Sequence, residues 1–107
     1  MATKKLQLMT VVVQHHLGNA VIDAALRAGA TGATYFYAQG TGVRQTLGQA
    51  AETIEVGKRV INILVTPALA DKVLKAVIAA GEIDKPGGGV AYVQDVLQAV
   101  GFVAPKD

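Results

Sequence analysis

Hydrophobic and polar positions alternate with two different periods along the chain, and together they predict four strands and two helices. Strands are predicted over residues 6–14, 34–39, 58–65 and 90–93, where β-branched and aromatic residues are frequent. Helices are predicted over residues 17–28 and 67–80, with one or two further helical turns over 94–100. Gly29 suits the end of the first helix, and Thr66-Pro67 suits the start of the second.

The resulting order, β-α-β-β-α-β, predicts an α+β ferredoxin-like fold with a four-stranded antiparallel sheet. Residues 1–107 form a single domain of this class. The two helices cover one face of the sheet, yet the first and third strands are apolar on both faces. Leu8 and Val12 alternate with Met9 and Val11 in the first strand. A large apolar face without helices usually marks an interface, so we expect an oligomer built sheet to sheet.

Composition narrows the classes of function. Hydrophobic residues make up 51% and charged residues 17%, which argues against disorder, and no apolar run is long enough to span a membrane. The formal net charge of +2 and the scattered Lys and Arg residues argue against nucleic acid as a partner. The chain has no Cys, which excludes disulfides and fits a cytoplasmic protein. It also has no Ser, so the usual nucleophilic triads are excluded, and we predict no catalytic residues and no enzyme activity.

The segment 40–45, GTGVRQ, is the first candidate site. Glycines allow the backbone to approach a ligand closely, Thr41 adds a hydroxyl donor, and Arg44 adds a fixed positive charge. A turn of this kind directly after a strand can hold an anion on its backbone N–H groups. The alternative is an ordinary flexible turn with a surface arginine, because two glycines at this spacing are common.

A second glycine segment, Lys85-Pro86-Gly87-Gly88-Gly89, precedes the last predicted strand. Three glycines there also suit phosphate contact, but taken alone the segment is better explained as a plain loop between helix and strand. The spacing of a P-loop is absent from both segments, so nothing supports NTPase chemistry.

His15-His16 is the third candidate. Adjacent histidines project in different directions and form a poor chelate, and the chain has no Cys and no third His. We therefore interpret them as a surface pair at the end of a strand and predict no metal site.

Two blocks of the sequence resemble the PII signal-transduction superfamily, over nearly the whole chain. The first is Thr31-Gly32-Ala33-Thr34 followed by 40–45, which resembles the strand and base of the family's T-loop. The second is 81–93, GEIDKPGGGVAYV, which resembles the B-loop and last strand. The sequence TGATYFYAQGTGVRQ is most similar to the carboxysome-associated PII-like subgroup. In this resemblance the T-loop spans 41–57, the B-loop 82–89 and the C-terminal segment 94–107.

The resemblance implies a homotrimer that binds adenine nucleotides in the clefts between subunits and acts as a sensor, without a tightly bound cofactor. Thr34 would lie near the adenine, and the glycines after the next helix would contact phosphate from the neighbouring subunit. The implied nucleotide-binding residues are Thr34, Gly40, Thr41, Gly42, Val43, Arg44, Lys85, Gly87, Gly88 and Gly89. The implied residues for a second effector, bicarbonate or 2-oxoglutarate, are Gly42, Arg44 and Gln45.

Departures from the family pattern change which nucleotide we expect to bind. Val90 stands where a basic residue is expected after the glycines, and Lys106 is the only cation of the C-terminal GFVAPKD. With less positive charge for a terminal phosphate, we expect weaker discrimination in favour of ATP. ADP, AMP and ATP all stay candidate ligands, and a preference for ADP or AMP is a hypothesis. Binding would order the T-loop for a target protein, such as a transporter or a carboxysome-linked protein. Two alternatives stay open: a nitrogen regulator binding ATP and 2-oxoglutarate, and a structural or metal-binding trimer that binds no nucleotide.

Overall fold

Two helices and four strands follow each other in the order that the sequence predicts. The computed structural model describes residues 5–44 and 52–104. The strands are β1 (Leu6–Gln14), β2 (Thr34–Arg44), β3 (Glu52–Val65) and β4 (Gly89–Val96). The helices are α1 (Gly18–Arg27), preceded by a 3-10 turn (His15–Leu17), and α2 (Pro67–Gly81). This arrangement confirms the α+β ferredoxin-like fold.

The sheet is antiparallel in the order β2-β3-β1-β4, so that β1 and β3 form its centre. Both helices pack on one face, which we call the covered face. Its core consists of alternate strand residues and one stripe of each helix, all buried. These residues include Met9, Val11, Val13, Val21, Ala25, Ile61, Ile63, Val65, Val73 and Val77.

The opposite side of the sheet, the bare face, is covered by no helix or strand among the described residues. One apolar row crosses all four strands there, because Val90 pairs with Val12, Val12 with Val60, and Val60 with Phe36. The outer members of this row, Val90 and Phe36, are 48% and 49% exposed. The bare face of the single chain therefore carries an exposed apolar row, as the sequence predicts, between rows that contain polar residues.

The helix ends follow local chemistry. Gly29 has a φ of +117°, which glycine adopts without strain, and it ends α1 as predicted. Helix α2 has Thr66 as its N-cap and Pro67 in the first turn, where a missing N–H costs nothing. The Thr66 side chain makes no capping hydrogen bond. The backbone carbonyl of Thr66 accepts instead from the Leu69 N–H at 3.0 Å.

The predicted bounds are wrong in two segments of the chain. Strands β2 and β3 run on to Arg44 and back to Glu52, so much of the segment 41–57 is a two-stranded ribbon. The helical turns predicted over 94–100 do not form, because Gln94, Asp95 and Val96 pair with β1 and extend β4. Pairing with a neighbouring strand decided both cases against the local pattern.

No helix in the described ranges 5–44 and 52–104 is long and apolar enough to cross a membrane.

Candidate functional site

At one end of the bare face, β1 and β3 bring the two glycine segments of the sequence towards each other. Gln14 ends β1 and pairs with Lys58 of β3. The Gln14 side-chain amide donates to the Gly87 carbonyl at 3.4 Å. Towards β2, the Lys58 side chain lies over Gly40. A Cβ added at Gly40 would lie 3.1 Å from two carbons of the Lys58 side chain. Lys58 and Gln14 therefore connect Gly40 with Gly87 across the sheet.

Gly40 does not open a turn, which corrects the prediction of a glycine turn over 40–45. Residues 40–44 continue β2 and pair with 52–56 of β3, from Gly40 opposite Val56 to Arg44 opposite Glu52. The two glycines alternate with β-branched Thr41 and Val43, and the partner strand is also rich in β-branched residues, which favours extended backbone. The absence of a side chain at Gly40 instead makes room for Lys58.

The second glycine segment does lie in turns, between Gly81 and Gly89. Gly87 and Gly89 have φ values of +74° and +131°, which favour glycine. Gly88 is buried, and its N–H already donates to the Lys85 carbonyl at 2.9 Å. Its N–H is therefore engaged inside the loop rather than free for a phosphate.

Lys85 is exposed, and its ammonium forms an ion pair with Glu82 Oε1 at 3.3 Å. An exposed pair of this kind exchanges readily with solvent and contributes little to stability. Lys85 is thus available to a ligand only in competition with Glu82.

The other end of the bare face carries an open groove of about 640 Å³. The segment before β2 forms one wall, the C-terminal segment forms another, and strands β1 and β3 form the floor. The lining residues are Leu8, Thr31, Gly32, Ala33, Thr34, Asn62, Leu64, Gly101, Phe102 and Val103. Apolar walls with a few polar groups are typical of small-molecule sites.

Asn62 is the polar residue in the floor of this groove. The Thr10 hydroxyl donates to its Oδ1 at 2.9 Å. This contact fixes the amide and leaves its NH₂ group as a donor for a ligand. Thr34 pairs with Asn62 across β2 and β3, so its hydroxyl lies on the same face.

The two regions are far apart within one chain. Thr34 and Gly40 are six positions apart on β2, and strand geometry places them about 20 Å from each other. The structure therefore brings Gly40 and the 87–89 glycines to one end of the sheet and Thr34 to the other.

The remaining predicted site residues lie outside these two regions. Thr41, Gly42, Val43 and Arg44 belong to the ribbon by their backbone pairing. Gln45 lies outside the described residues. Sequence reasoning missed Lys58 and Asn62. The available signal was their spacing, since each is two residues from Val60 and therefore lies with it on the bare face of β3.

The histidine pair lies in the 3-10 turn that follows β1. Both side chains are exposed, and the His15 ring packs against Tyr37 with 5.0 Å between ring centroids. Among residues 5–44 and 52–104, no three His, Asp or Glu side chains gather as a metal site would require.

Comparisons with known proteins give one family-model match and several matches to solved structures. The family model for the nitrogen regulatory protein P-II matches residues 6–102. GlnK of B. subtilis matches with a TM-score of 0.70 and 18% identity, over 88% of this chain and 87% of GlnK. The B. subtilis GlnK-ATP complex matches with a TM-score of 0.70 and 17% identity, over 90% of this chain and 85% of the other.

A B. cereus protein related to NIF3 also matches, with a TM-score of 0.73 and 21% identity. That match covers 92% of this chain but 27% of the B. cereus protein. At these identities each structural match shows a shared fold. Among curated protein sequences, none matches this chain.

Proposed function

The chain belongs to the nitrogen regulatory protein P-II family, and on this premise we propose that it is a homotrimeric regulator that binds an adenine nucleotide between its subunits. The observation that carries the proposal is the division of the bare face into two half-sites. The groove with Thr34 and Asn62 lies at one end, and Lys58 with the glycine segments lies at the other. In an assembly through the bare face, the groove of one subunit meets the glycine end of its neighbour.

The apolar row Val90, Val12, Val60 and Phe36 supports assembly, since an uncovered row of this kind gains free energy when another sheet buries it. The test is sedimentation of the variant Val60→Glu, which places a charge in the middle of that row. We expect a trimer for the original chain and a monomer for Val60→Glu. Lys75→Glu, on the exposed side of α2, is the matched control and should remain trimeric. A Val60→Glu chain that sediments like the original would contradict assembly through this face.

The nucleotide itself is the second step. One of the structural matches, B. subtilis GlnK, is a complex with ATP. For this chain we propose ADP or AMP as the preferred ligand, because Val90 supplies no charge and the ammonium of Lys85 is shared with Glu82. Calorimetry with ATP, ADP and AMP tests the order of affinities. Tighter binding of ATP with magnesium would overturn the preference, and no binding of any of the three would overturn the nucleotide site itself.

A second effector completes the proposal, and we place it near Lys58 and Gly40. Lys58 is a half-buried cation beside a backbone without a side chain, which suits a small oxyanion such as bicarbonate. We propose that the protein responds to inorganic carbon through bicarbonate. Titration of the ADP-bound trimer with bicarbonate and with 2-oxoglutarate separates this function from the nitrogen-regulating alternative. A carboxysome-linked protein or a transporter remains the proposed target class. We propose regulation rather than catalysis, and sustained nucleotide hydrolysis by the purified trimer would contradict that.

A further inference from the structure

The sheet narrows from four strands to three and then to two over successive rows of residues. The last row that contains all four strands is Gly89, Val13, Arg59 and Tyr37. Beyond Gln14, residues 39–44 of β2 pair with 52–57 of β3 alone. We call this two-stranded part the arm. A two-stranded ribbon is only marginally stable by itself, so its orientation depends on the contacts at its base.

Arg59 occupies the base of the arm on the covered face, opposite to the proposed ligand sites. Only 5% of its surface is exposed. One terminal nitrogen of its guanidinium, Nη1, donates to Asn19 Oδ1 of α1 at 2.6 Å. The guanidinium carbon lies 5.1 Å from the ring centroid of Tyr35 and 5.0 Å from that of Tyr37. Arg59 thus connects the first turn of α1 with two successive side chains on this face of β2.

No acid among the described residues pairs with the charge of Arg59. Within residues 5–44 and 52–104, the buried Nε of Arg59 has no hydrogen-bond partner. Burial of an unpaired cation is costly, so the two aromatic faces and the Asn19 oxygen must supply the compensation. Met or Leu would fill the same volume in this row of the core without the cost of burying a charge.

The neighbours of Arg59 are shaped around it. A Cβ at Gly18 would lie 2.5 to 2.7 Å from three atoms of the Arg59 side chain, so the guanidinium lies against the bare backbone of α1. On the far side, the His15 ring packs against Tyr37. Tyr35 and Tyr37 meet edge to face, with 6.4 Å between centroids.

We propose that Arg59 is a positioning residue that holds the base of the arm against α1 through Asn19, Tyr35 and Tyr37. The planar guanidinium stacks on rings and donates to an amide at the same time, which the compact ammonium of a lysine cannot do. The clamp acts on the arm whether or not a ligand is present, so it does not depend on the identity of the nucleotide.

Hydrogen exchange of individual amides tests the clamp, because it separates the arm from the rest of the sheet. In Arg59→Lys and Arg59→Met, we expect exchange in 39–44 and 52–57 to rise at least tenfold, with little change in the amides of β1. Arg27→Lys and Arg27→Met are the matched controls, since Arg27 is exposed at the other end of α1. Exchange that rises equally in β1 and in the arm would make Arg59 an ordinary core residue and overturn the proposal.

A second pair of variants decides the matter if the Arg59 variants do not fold. Tyr37 is 64% exposed, so its replacement leaves the core intact. Tyr37→Phe keeps the aromatic face and should leave exchange in the arm within about twofold of the original chain. Tyr37→Leu removes that face and should accelerate exchange in the arm several-fold. Equal exchange in Tyr37→Phe and Tyr37→Leu would overturn the aromatic part of the clamp and, with it, the proposal.

Discussion

Strand β3 shows how one run of residues serves two surfaces with different roles. On the covered face its side chains are buried against α1, α2 and β1, whereas on the bare face their neighbours stay partly open. The covered residues are Arg59, Ile61, Ile63 and Val65, and the bare ones are Lys58, Val60, Asn62 and Leu64. The alternation separates folding from binding: substitutions on the covered face act on the stability of the chain, and those on the bare face act on assembly and ligands.

The adjacent residues Ile61 and Val60 test this separation most directly. Ile61 is fully buried, so Ile61→Ala should lower the free energy of unfolding by about 2–5 kcal/mol, because it leaves a cavity. Val60→Ala should cost much less in the unassembled chain. Urea unfolding over a range of protein concentrations measures both. The cost of Ile61→Ala should be the same throughout, and that of Val60→Ala should grow where the chain is assembled. A constant, equally large cost for Val60→Ala would refute the division.

Gly89 gives the next largest effect, at the point where the glycine loop enters the sheet. Its φ of +131° is nearly restricted to glycine, and a Cβ there would collide with the Val12 carbonyl. Gly89→Ala should therefore cost about 1–3 kcal/mol, measured by thermal or urea unfolding. The control is Gly32→Ala, where a Cβ meets nothing within 4 Å and the change should be close to neutral. Similar losses in both variants would mean that the backbone at Gly89 adapts.

The fold was predictable from the sequence where local pattern and tertiary pairing agree. The bounds of β1, 6–14, are as predicted, because its alternation is strong and its ends are marked. Prediction failed over 40–44 and 94–96, because glycines and a Gln-Asp pair disfavour strands locally, and the pairing with β3 and β1 overrides that preference. Pairing partners are distant in the sequence, so no local pattern contains them.

The site was predictable in part, for a related reason. The glycine segments were visible as motifs, but Lys58 and Asn62 became candidates only when the register placed them beside Gly40 and Thr34. Arg59 was missed altogether, since a charged residue is normally expected on the surface. Its phase with Ile61 and Ile63 was the signal that it faces the core.

Asn62 on the bare face allows the groove to be tested with a smaller effect. Its amide is fixed by Thr10, which leaves its NH₂ group as a donor, and we propose that the base of the nucleotide accepts from it in the groove. Asn62→Ala should weaken ADP binding by about tenfold, which is what one lost hydrogen bond of about 1.4 kcal/mol produces. Calorimetry measures the change. Asn62→Asp is the matched variant, because it keeps the size but replaces the NH₂ donor with an acceptor, and it should bind at least as weakly as Asn62→Ala. ADP affinity unchanged in both variants would remove the groove from the site.

Lys58 and its neighbour Arg59 give the smallest and most selective comparison, two cations on opposite faces of one strand. Lys58 lies over Gly40 on the bare face. Lys58→Gln should therefore lower the affinity for an anionic ligand by up to about fivefold, or about 1 kcal/mol. The loss should shrink at high salt, because the cation is only half-buried. Exchange of amides in the arm should not change, since the clamp belongs to Arg59. Lys75→Gln is the control for net charge. A Lys58→Gln chain with intact affinity but a loosened arm would reverse the roles that the two faces assign to these neighbours.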